Sequence, residues 1–204
     1  MLSYFDDTLV HTPTWSQHPE TLRALFTALR THGLTAKLSI GQTSMDFLDH
    51  IVSKGTLAPL PSKVKKVLNS STPTTKKQVQ SLMGLLNYYR SFIPNFSTVT
   101  APLTDLLRKN SPDKVKWSET CQEAVETVSH ILSFEPILII LDINVPFVVR
   151  TDASDYGVGA VLLQQRNGVL MPCRFASRKL LPREQNFSTI ERETLAIVYA
   201  VSAF

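Results

Sequence analysis

Phe147-Val148-Val149-Arg150-Thr151-Asp152-Ala153-Ser154 reads as a β-strand running into a turn, and this stretch decides what kind of fold the chain can have. Its valines and β-branched threonine favour extended backbone. Val158 to Leu163 follows as a second strand, introduced by the small residues Gly157, Gly159 and Ala160. Asn167-Gly168 then offers two residues that tolerate positive φ, the mark of a tight hairpin turn. Val169 to Ala176 returns as a third strand. Ser188 and Glu191 stand at capping-box spacing, and they open a helix through Leu195, Val198 and Val201 that continues to Phe204. Strand, strand, strand, helix predicts an α/β layer.

Toward the N-terminus the apolar period changes from two to 3.6. Ser118 is predicted to cap a helix with Cys121, Ala124, Val125, Val128, Ile131 and Leu132 on one face, stopped by Pro136. Pro102 opens a shorter helix through Leu107. Thr75 and Gln78 form a second capping box, for a helix that buries Val79, Leu82, Met83, Leu86 and Tyr89 and ends before Pro94. Ser62 to Leu68 reads as a short basic helix, and the prolines of Leu57-Ala58-Pro59-Leu60-Pro61 are expected to break regular structure before it. This helical middle is expected to be the best-formed part. Earlier still, Leu34 to Ile40 and Met45 to Val52 read as short strands around Gly41-Gln42. Ser16 is predicted to cap a helix with Pro19 in its first turn, Leu22, Leu25, Phe26 and Leu29 on one face, and Gly33 at its close. The fold class expected is α+β.

With 204 residues, 43% hydrophobic and 19% charged, the chain can bury a core and is not globally disordered. No apolar run reaches membrane-spanning length, and the start has no signal-peptide pattern, so an intracellular chain, cytoplasmic or nuclear and without a membrane partner, is expected. Cys121 and Cys173 fall far apart in different elements and suggest no metal cluster, and a disulfide is not expected in a chain read as intracellular. Charge is uneven. Residues 1–53 carry three Lys/Arg against five Asp/Glu, residues 54–116 eleven against two, and residues 117–204 seven against ten. A basic middle between acidic ends fits a polyanion-binding segment flanked by metal-binding ones, and equally a solvated lysine-rich surface.

Two pairs of carboxylates carry possible chemistry. Tyr4-Phe5-Asp6-Asp7, followed by the β-type run Thr8, Leu9, Val10, places adjacent aspartates at a turn. Phosphoryl transfer uses two divalent cations clamping attacking and leaving oxygens, and Mg²⁺ prefers carboxylate oxygen. Asp152 on a strand and Glu193 one turn into the last helix could converge on a shared metal for nucleic-acid hydrolysis. Taken singly, Asp6-Asp7 is compatible with a solvated turn, Asp152 with a turn cap and Glu193 with a surface residue near a helix N-terminus. Asp155 reads as turn chemistry and Glu191 as the capping-box partner.

Together the order of these pieces resembles the pol polyprotein of gypsy-type LTR retrotransposons. The resemblance rests on Tyr4-Phe5-Asp6-Asp7; on Phe47-Leu48-Asp49-His50-Ile51-Val52-Ser53; on Leu85-Leu86-Asn87-Tyr88-Tyr89-Arg90-Ser91-Phe92-Ile93-Pro94-Asn95-Phe96; and on Ala101-Pro102-Leu103-Thr104. It continues through Thr151 to Leu162, Ala176-Ser177-Arg178-Lys179-Leu180 and Ser188 to Glu193. It implies the C-terminal part of a reverse transcriptase palm over 1–59, a helical thumb and connection over 60–142, and the N-terminal half of a ribonuclease H-like domain over 143–204. It implies that Asp6 and Asp7 are polymerase metal carboxylates, and that Asp152 and Glu193 are the first two acidic ligands of the hydrolase, with Mg²⁺ or Mn²⁺ as cofactor. Tyr4 of the tetrad, and Phe47, Leu48 and His50 of a primer-grip hairpin, would meet nucleic acid. Lys63, Lys65, Lys66, Lys76, Lys77 and Arg90 would neutralise phosphates of template–primer or RNA/DNA hybrid. Tyr88 could stack on bases, while Tyr89 is expected in the helix core. The parent would also bind a nucleotide and be joined to remaining pol domains in a polyprotein associated with DNA integration.

Departures from the pattern accompany the match. No acidic residue precedes Asp6, and the remaining acidic ligands of a ribonuclease H site are absent, so the chain is expected to be catalytically incomplete alone. Asp49 stands where the family's primer grip has glycine, and Lys37-Leu38 where it has a Lys-Cys pair. The alternative is a degenerate or domesticated remnant that binds nucleic acid without catalysis.

Overall fold

A computed structural model describes residues 2–4, 6–12, 14–68, 71–109, 111–134 and 136–204. Phe5 of the aspartate tetrad lies outside the described residues. The chain divides into two compact units, Met1–Lys54 and Gly55–Phe204, and the class is α+β.

In the first unit, β1 (Leu2–Tyr4) and β2 (Asp7–Leu9) form an antiparallel hairpin with Leu2 opposite Leu9 and Tyr4 opposite Asp7. Helix α1 (His18–Thr31) presents Leu22, Leu25, Phe26 and Leu29 on its half-buried side. Ser16 does not cap it. The cap position is Gln17, whose backbone is already helical and whose side chain makes no cap bond, and the Ser16 hydroxyl meets Thr14 Oγ1 at 3.0 Å instead. Gly33 closes the helix at φ 65°, with Leu34 N–H donating back to Leu29 O at 2.9 Å.

Residues 34–40 are not a strand, and they leave Leu34, Leu38 and Ile40 half exposed or more. The hairpin lies further on. Strands β3 (Ser44–Phe47) and β4 (His50–Ser53) pair antiparallel, with Phe47 opposite His50. Its turn is Leu48-Asp49 rather than Gly41-Gln42. Both turn residues are left-handed, at φ 47° and 58°, as a two-residue turn matched to strand twist requires.

In the second unit the prolines punctuate elements rather than breaking them. Pro59 ends β5 (Thr56–Pro59), and Pro61 opens α2 (Pro61–Leu68), a position where its missing N–H costs nothing. Helix α3 (Lys76–Tyr88) carries the complete Thr75–Gln78 capping box. A 3₁₀ turn at Arg90–Phe92 follows, then α4 (Phe96–Val99), entered through left-handed Asn95, and α5 (Ala101–Asp105). Helix α6 (Glu119–Ser133) is capped by the Ser118 hydroxyl, which accepts from Cys121 N–H. These helices share one core. Leu86 and Tyr89 of the α3 end, Phe92, Leu103, and Val128 and Leu132 of α6 are all essentially shielded from solvent. The short strand β6 (Leu138–Ile139) pairs antiparallel with β5 and adds Leu138 to that core.

Strands β7 (Phe147–Ala153), β8 (Gly157–Arg166) and β9 (Val169–Lys179) form an antiparallel sheet in sequence order, with a register shift at Leu162/Leu163. Asn167 and Gly168 make its tight turn at φ 52° and 82°. Helix α7 (Thr189–Ala203), with the Ser188–Glu191 capping box in place, packs Leu195, Ala196 and Tyr199 over Ala153, Val158 and Leu180.

The helices and this sheet are joined by polar contacts that no local pattern announces. Arg90 Nη2 donates to Ser177 O at 2.9 Å, and Ser97 N–H donates to Ser177 Oγ at 2.9 Å. The Lys179 ammonium meets Asp105 at 2.8 Å. Gly157 and Gly159 leave room for the Thr98 and Asn95 side chains at the start of α4. A Cβ at 157 would sit 2.9 Å from Thr98 Oγ1, and one at 159 would collide with the Asn95 amide. Buried Gln164 donates to Asp142 O (2.7 Å) and Val145 O (2.9 Å) and accepts from Asp142 N–H (3.0 Å), while Arg166 donates to Gly55 O and Ile140 O, both at 3.0 Å.

Candidate carboxylate and nucleic-acid sites

Asp6 occupies the tip of the β1–β2 hairpin and Asp7 begins its second strand, both exposed, with Tyr4 across from Asp7 and also exposed. The short ladder fixes the backbone around the two aspartates, and both side chains are exposed.

The second pair comes from two elements that touch. Asp152 lies one residue before the end of β7, opposite Gly159. Its neighbour Ala153 packs under α7. Glu193 precedes Ala196 by three residues and buried Ala200 by seven, which places it on the sheet-facing stripe of α7, at the stripe's exposed end. The turn beside Asp152 is built by Ser154, not Asp155. Ser154 Oγ accepts from Tyr156 N–H (3.3 Å) and Gly157 N–H (3.1 Å) and donates to Gly157 O (3.1 Å). Asp155 instead pairs with Arg192 and so ties the β7–β8 turn to the first turns of α7. These residues are 37 apart in sequence, and no local signal links them.

Carboxylate oxygen is the right donor for Mg²⁺. Among the described residues, however, no three His, Cys, Asp or Glu side chains are grouped to hold a metal ion. The four carboxylates match the cofactor in donor type, but Ala153 faces α7 and strand alternation turns Asp152 the other way, and among the described residues neither pair forms a metal site by itself.

The hairpin expected to be a primer grip is present with its turn at Leu48-Asp49. His50 Nδ1 lies 2.6 Å from Leu48 O; a carbonyl only accepts, so Nδ1 carries the proton and the ring braces the turn. Phe47, Leu48, Asp49 and His50 are all half-buried.

The basic residues divide by what they touch. Lys65 and Lys66 on α2 and Lys77 on α3 are exposed, and Lys63 is half-buried on α2 beside buried Val64. Lys76 Nζ donates to Arg108 O (2.6 Å) and Ser111 O (3.2 Å). Arg90 holds Ser177 O, as above. Tyr89 is fully buried, meeting Tyr88 edge-on and Phe92 at a tilt, and Tyr88 is half exposed.

One ionised group escaped sequence reasoning. Buried Glu184, in a 3₁₀ turn at Glu184–Asn186, accepts from Arg178 Nη1 (2.7 Å), Arg178 Nη2 (3.1 Å) and Leu181 N–H (2.8 Å). The Arg178 hydrogen bonds hold its carboxyl below the usual carboxylate range against the opposing effect of burial. Arg178 also lies over the Tyr199 ring of α7.

The RNase H-like domain found in reverse transcriptase matches residues 117–204. The Retrovirus-related Pol polyprotein from transposon 297 of Drosophila melanogaster is 35% identical over all of this chain, which covers 19% of it. The Transposon Tf2-3 polyprotein of Schizosaccharomyces pombe is 31% identical over 97% of the chain, which covers 15% of that polyprotein. The chain thus spans less than a fifth of the length of either relative. Among solved structures, the foamy viral protease-reverse transcriptase dRH in complex with double-stranded DNA superposes with a TM-score of 0.84 at 25% identity, over 95% of this chain and 34% of that one. The foamy viral protease-reverse transcriptase in complex with RNA/DNA hybrid gives a TM-score of 0.78 at 25% identity, over 95% of this chain and 26% of that one. No described helix is long and apolar enough to cross a membrane.

Proposed function

We propose that the chain is a region of an LTR-retrotransposon or retroviral pol polyprotein, the C-terminal part of reverse transcriptase with an RNase H-like domain, and that it holds template–primer and RNA/DNA hybrid. The match of residues 117–204 to the RNase H-like domain and the likeness to the transposon polyproteins and the foamy viral reverse transcriptase support this reading. Residues 1–59 act as the end of the palm, 60–142 as thumb and connection, and 143–204 as the start of the ribonuclease H-like domain. Asp6 and Asp7 serve nucleotide transfer, and Asp152 and Glu193 serve cleavage of the RNA strand. Mg²⁺ or Mn²⁺ supplies charge neutralisation at both places when bound. Each pair needs carboxylates from further polypeptide, so the chain alone binds and does not catalyse. The Phe47–His50 hairpin sets the primer end.

One observation carries the binding role. Lys65, Lys66 and Lys77 stand exposed on helices anchored to the deepest core of the protein, where charge can face a phosphate backbone at a fixed geometry. The test is a hybrid duplex offered to the purified chain with Mg²⁺ and nucleotides. Expected are salt-dependent binding, no primer extension and no strand cleavage. Extension or cleavage at rates ordinary for an enzyme would refute the incompleteness, and salt-independent or absent binding would refute the duplex role.

A further inference from the structure

The contacts that occupy Lys76 also organise a second basic surface. The segment 106–117 carries Arg108, Lys109, Lys114 and Lys116 against one acid, Asp113. It is pinned to the start of α3 at several points. Thr75 and Lys114 form an antiparallel bridge. Lys76 N–H donates to Asp113 O and Val115 N–H donates to Thr74 O, both at 2.9 Å. Lys76 Nζ holds the carbonyls of Arg108 and Ser111 from the other end.

The bridge makes 114–116 extended, and extended backbone alternates its side chains. Val115 is half-buried, so Lys114 and Lys116 share the solvent side, and both are exposed. Extended spacing puts their Cα atoms about 7 Å apart. Exposed Lys77 lies two residues beyond Thr75, the bridge partner of Lys114. Among the described residues the ammonium groups of Lys77, Lys114 and Lys116 make no ion pair. The nearby carboxylate of Asp105 is already taken by Lys179 and Arg108.

We infer that Lys77, Lys114 and Lys116 form a phosphate-backbone contact surface for a nucleic-acid duplex, with Lys76 as the residue that positions it. This rests on the duplex-binding role proposed above and assigns it residues beyond α2. Three cations spread along pinned backbone meet a polyanion without first ordering the segment that carries them, which favours a repeating backbone over a single anion.

The experiment measures hybrid binding to the full chain by fluorescence anisotropy across a salt series. It compares wild type, Lys114→Ala/Lys116→Ala and Lys65→Ala/Lys66→Ala, with thermal melting as the fold control. Removing two phosphate contacts should lower the log–log salt slope by about 2, so that the affinity lost between 50 and 200 mM salt shrinks about tenfold. That result for Lys114→Ala/Lys116→Ala supports the surface. An unchanged slope there, with the Lys65/Lys66 variant reduced, overturns it and leaves the duplex-binding role standing. Unchanged slopes in both variants overturn the two together. Lys76→Ala gives an independent reading: hydrogen exchange at the Val115 amide should speed up and duplex affinity should fall. Unaltered exchange would refute the positioning role.

Discussion

Residues 2–54 and the helical part of the second unit make opposite use of their sequence. The first carry the Asp6-Asp7 tetrad and the Phe47–His50 hairpin, yet among their described residues only Leu9 is buried. Helix α1 buries no residue at all. The helical part carries none of the candidate carboxylates, yet it gathers Leu86, Tyr89, Phe92, Leu103 and Val128 into a sealed core. Between these two regions, then, the candidate carboxylates and the sealed core lie in different stretches. The carboxylates rest on local hairpin geometry, while the basic surface rests on tertiary packing.

The largest effect should come from the core. Leu86→Ala is expected to destabilise the second unit by about 3–4 kcal/mol, because a fully enclosed side chain leaves a cavity. Leu25→Ala on half-buried α1 should cost under about 1 kcal/mol. Urea unfolding of the two variants checks the contrast, and equal costs would break it.

Glu184→Gln should cost about 1–3 kcal/mol at neutral pH, since it removes a charge from three short hydrogen bonds. Its pH dependence follows from the lowered folded pKa. The unfolded carboxyl binds its proton near its ordinary value of 4.5, the folded one only at lower pH. The stabilisation is thus complete above that value and is lost as pH falls through the folded pKa. Acid unfolding followed by circular dichroism should show a shallower acid arm in the Gln variant.

At the Leu48-Asp49 turn the direction reverses. Asp49 sits at φ 58°, so Asp49→Gly should leave stability unchanged or raise it by up to about 1 kcal/mol. A loss in thermal melting would mean that the Asp49 side chain holds the turn. The smallest effect belongs to the exposed tetrad: Asp6→Asn/Asp7→Asn should shift stability by less than about 0.5 kcal/mol.

What could be read from the sequence was local. Both capping boxes, the Ser118 cap, the Asn167-Gly168 turn and the apolar face of α3 each sit within a few residues, and each formed. The apolar period points to a turn at Gly41-Gln42 instead of Leu48-Asp49, because leucine carries no mark of positive φ, while the resemblance of residues 47–50 to a family hairpin points to the observed place. The prolines around Leu60 were legible as punctuation but not as the boundary between a strand end and a helix start. The Arg90, Gln164 and Arg166 clamps, the Asp155–Arg192 pair and the pinning of 106–117 join residues far apart in sequence, so only packing reveals them. The carboxylates of the candidate sites were legible as motifs. Their exposure, and the shared stripe that directs Glu193 toward the sheet, came from the fold.

The account is tested most directly by hybrid binding across salt concentration, comparing Asp6→Asn/Asp7→Asn with Lys65→Ala/Lys66→Ala/Lys77→Ala. It predicts no fall in affinity or slope for the aspartate variant and a slope smaller by about 3 for the lysine variant. A full wild-type slope in the lysine variant, with affinity lost in the aspartate variant, would contradict it.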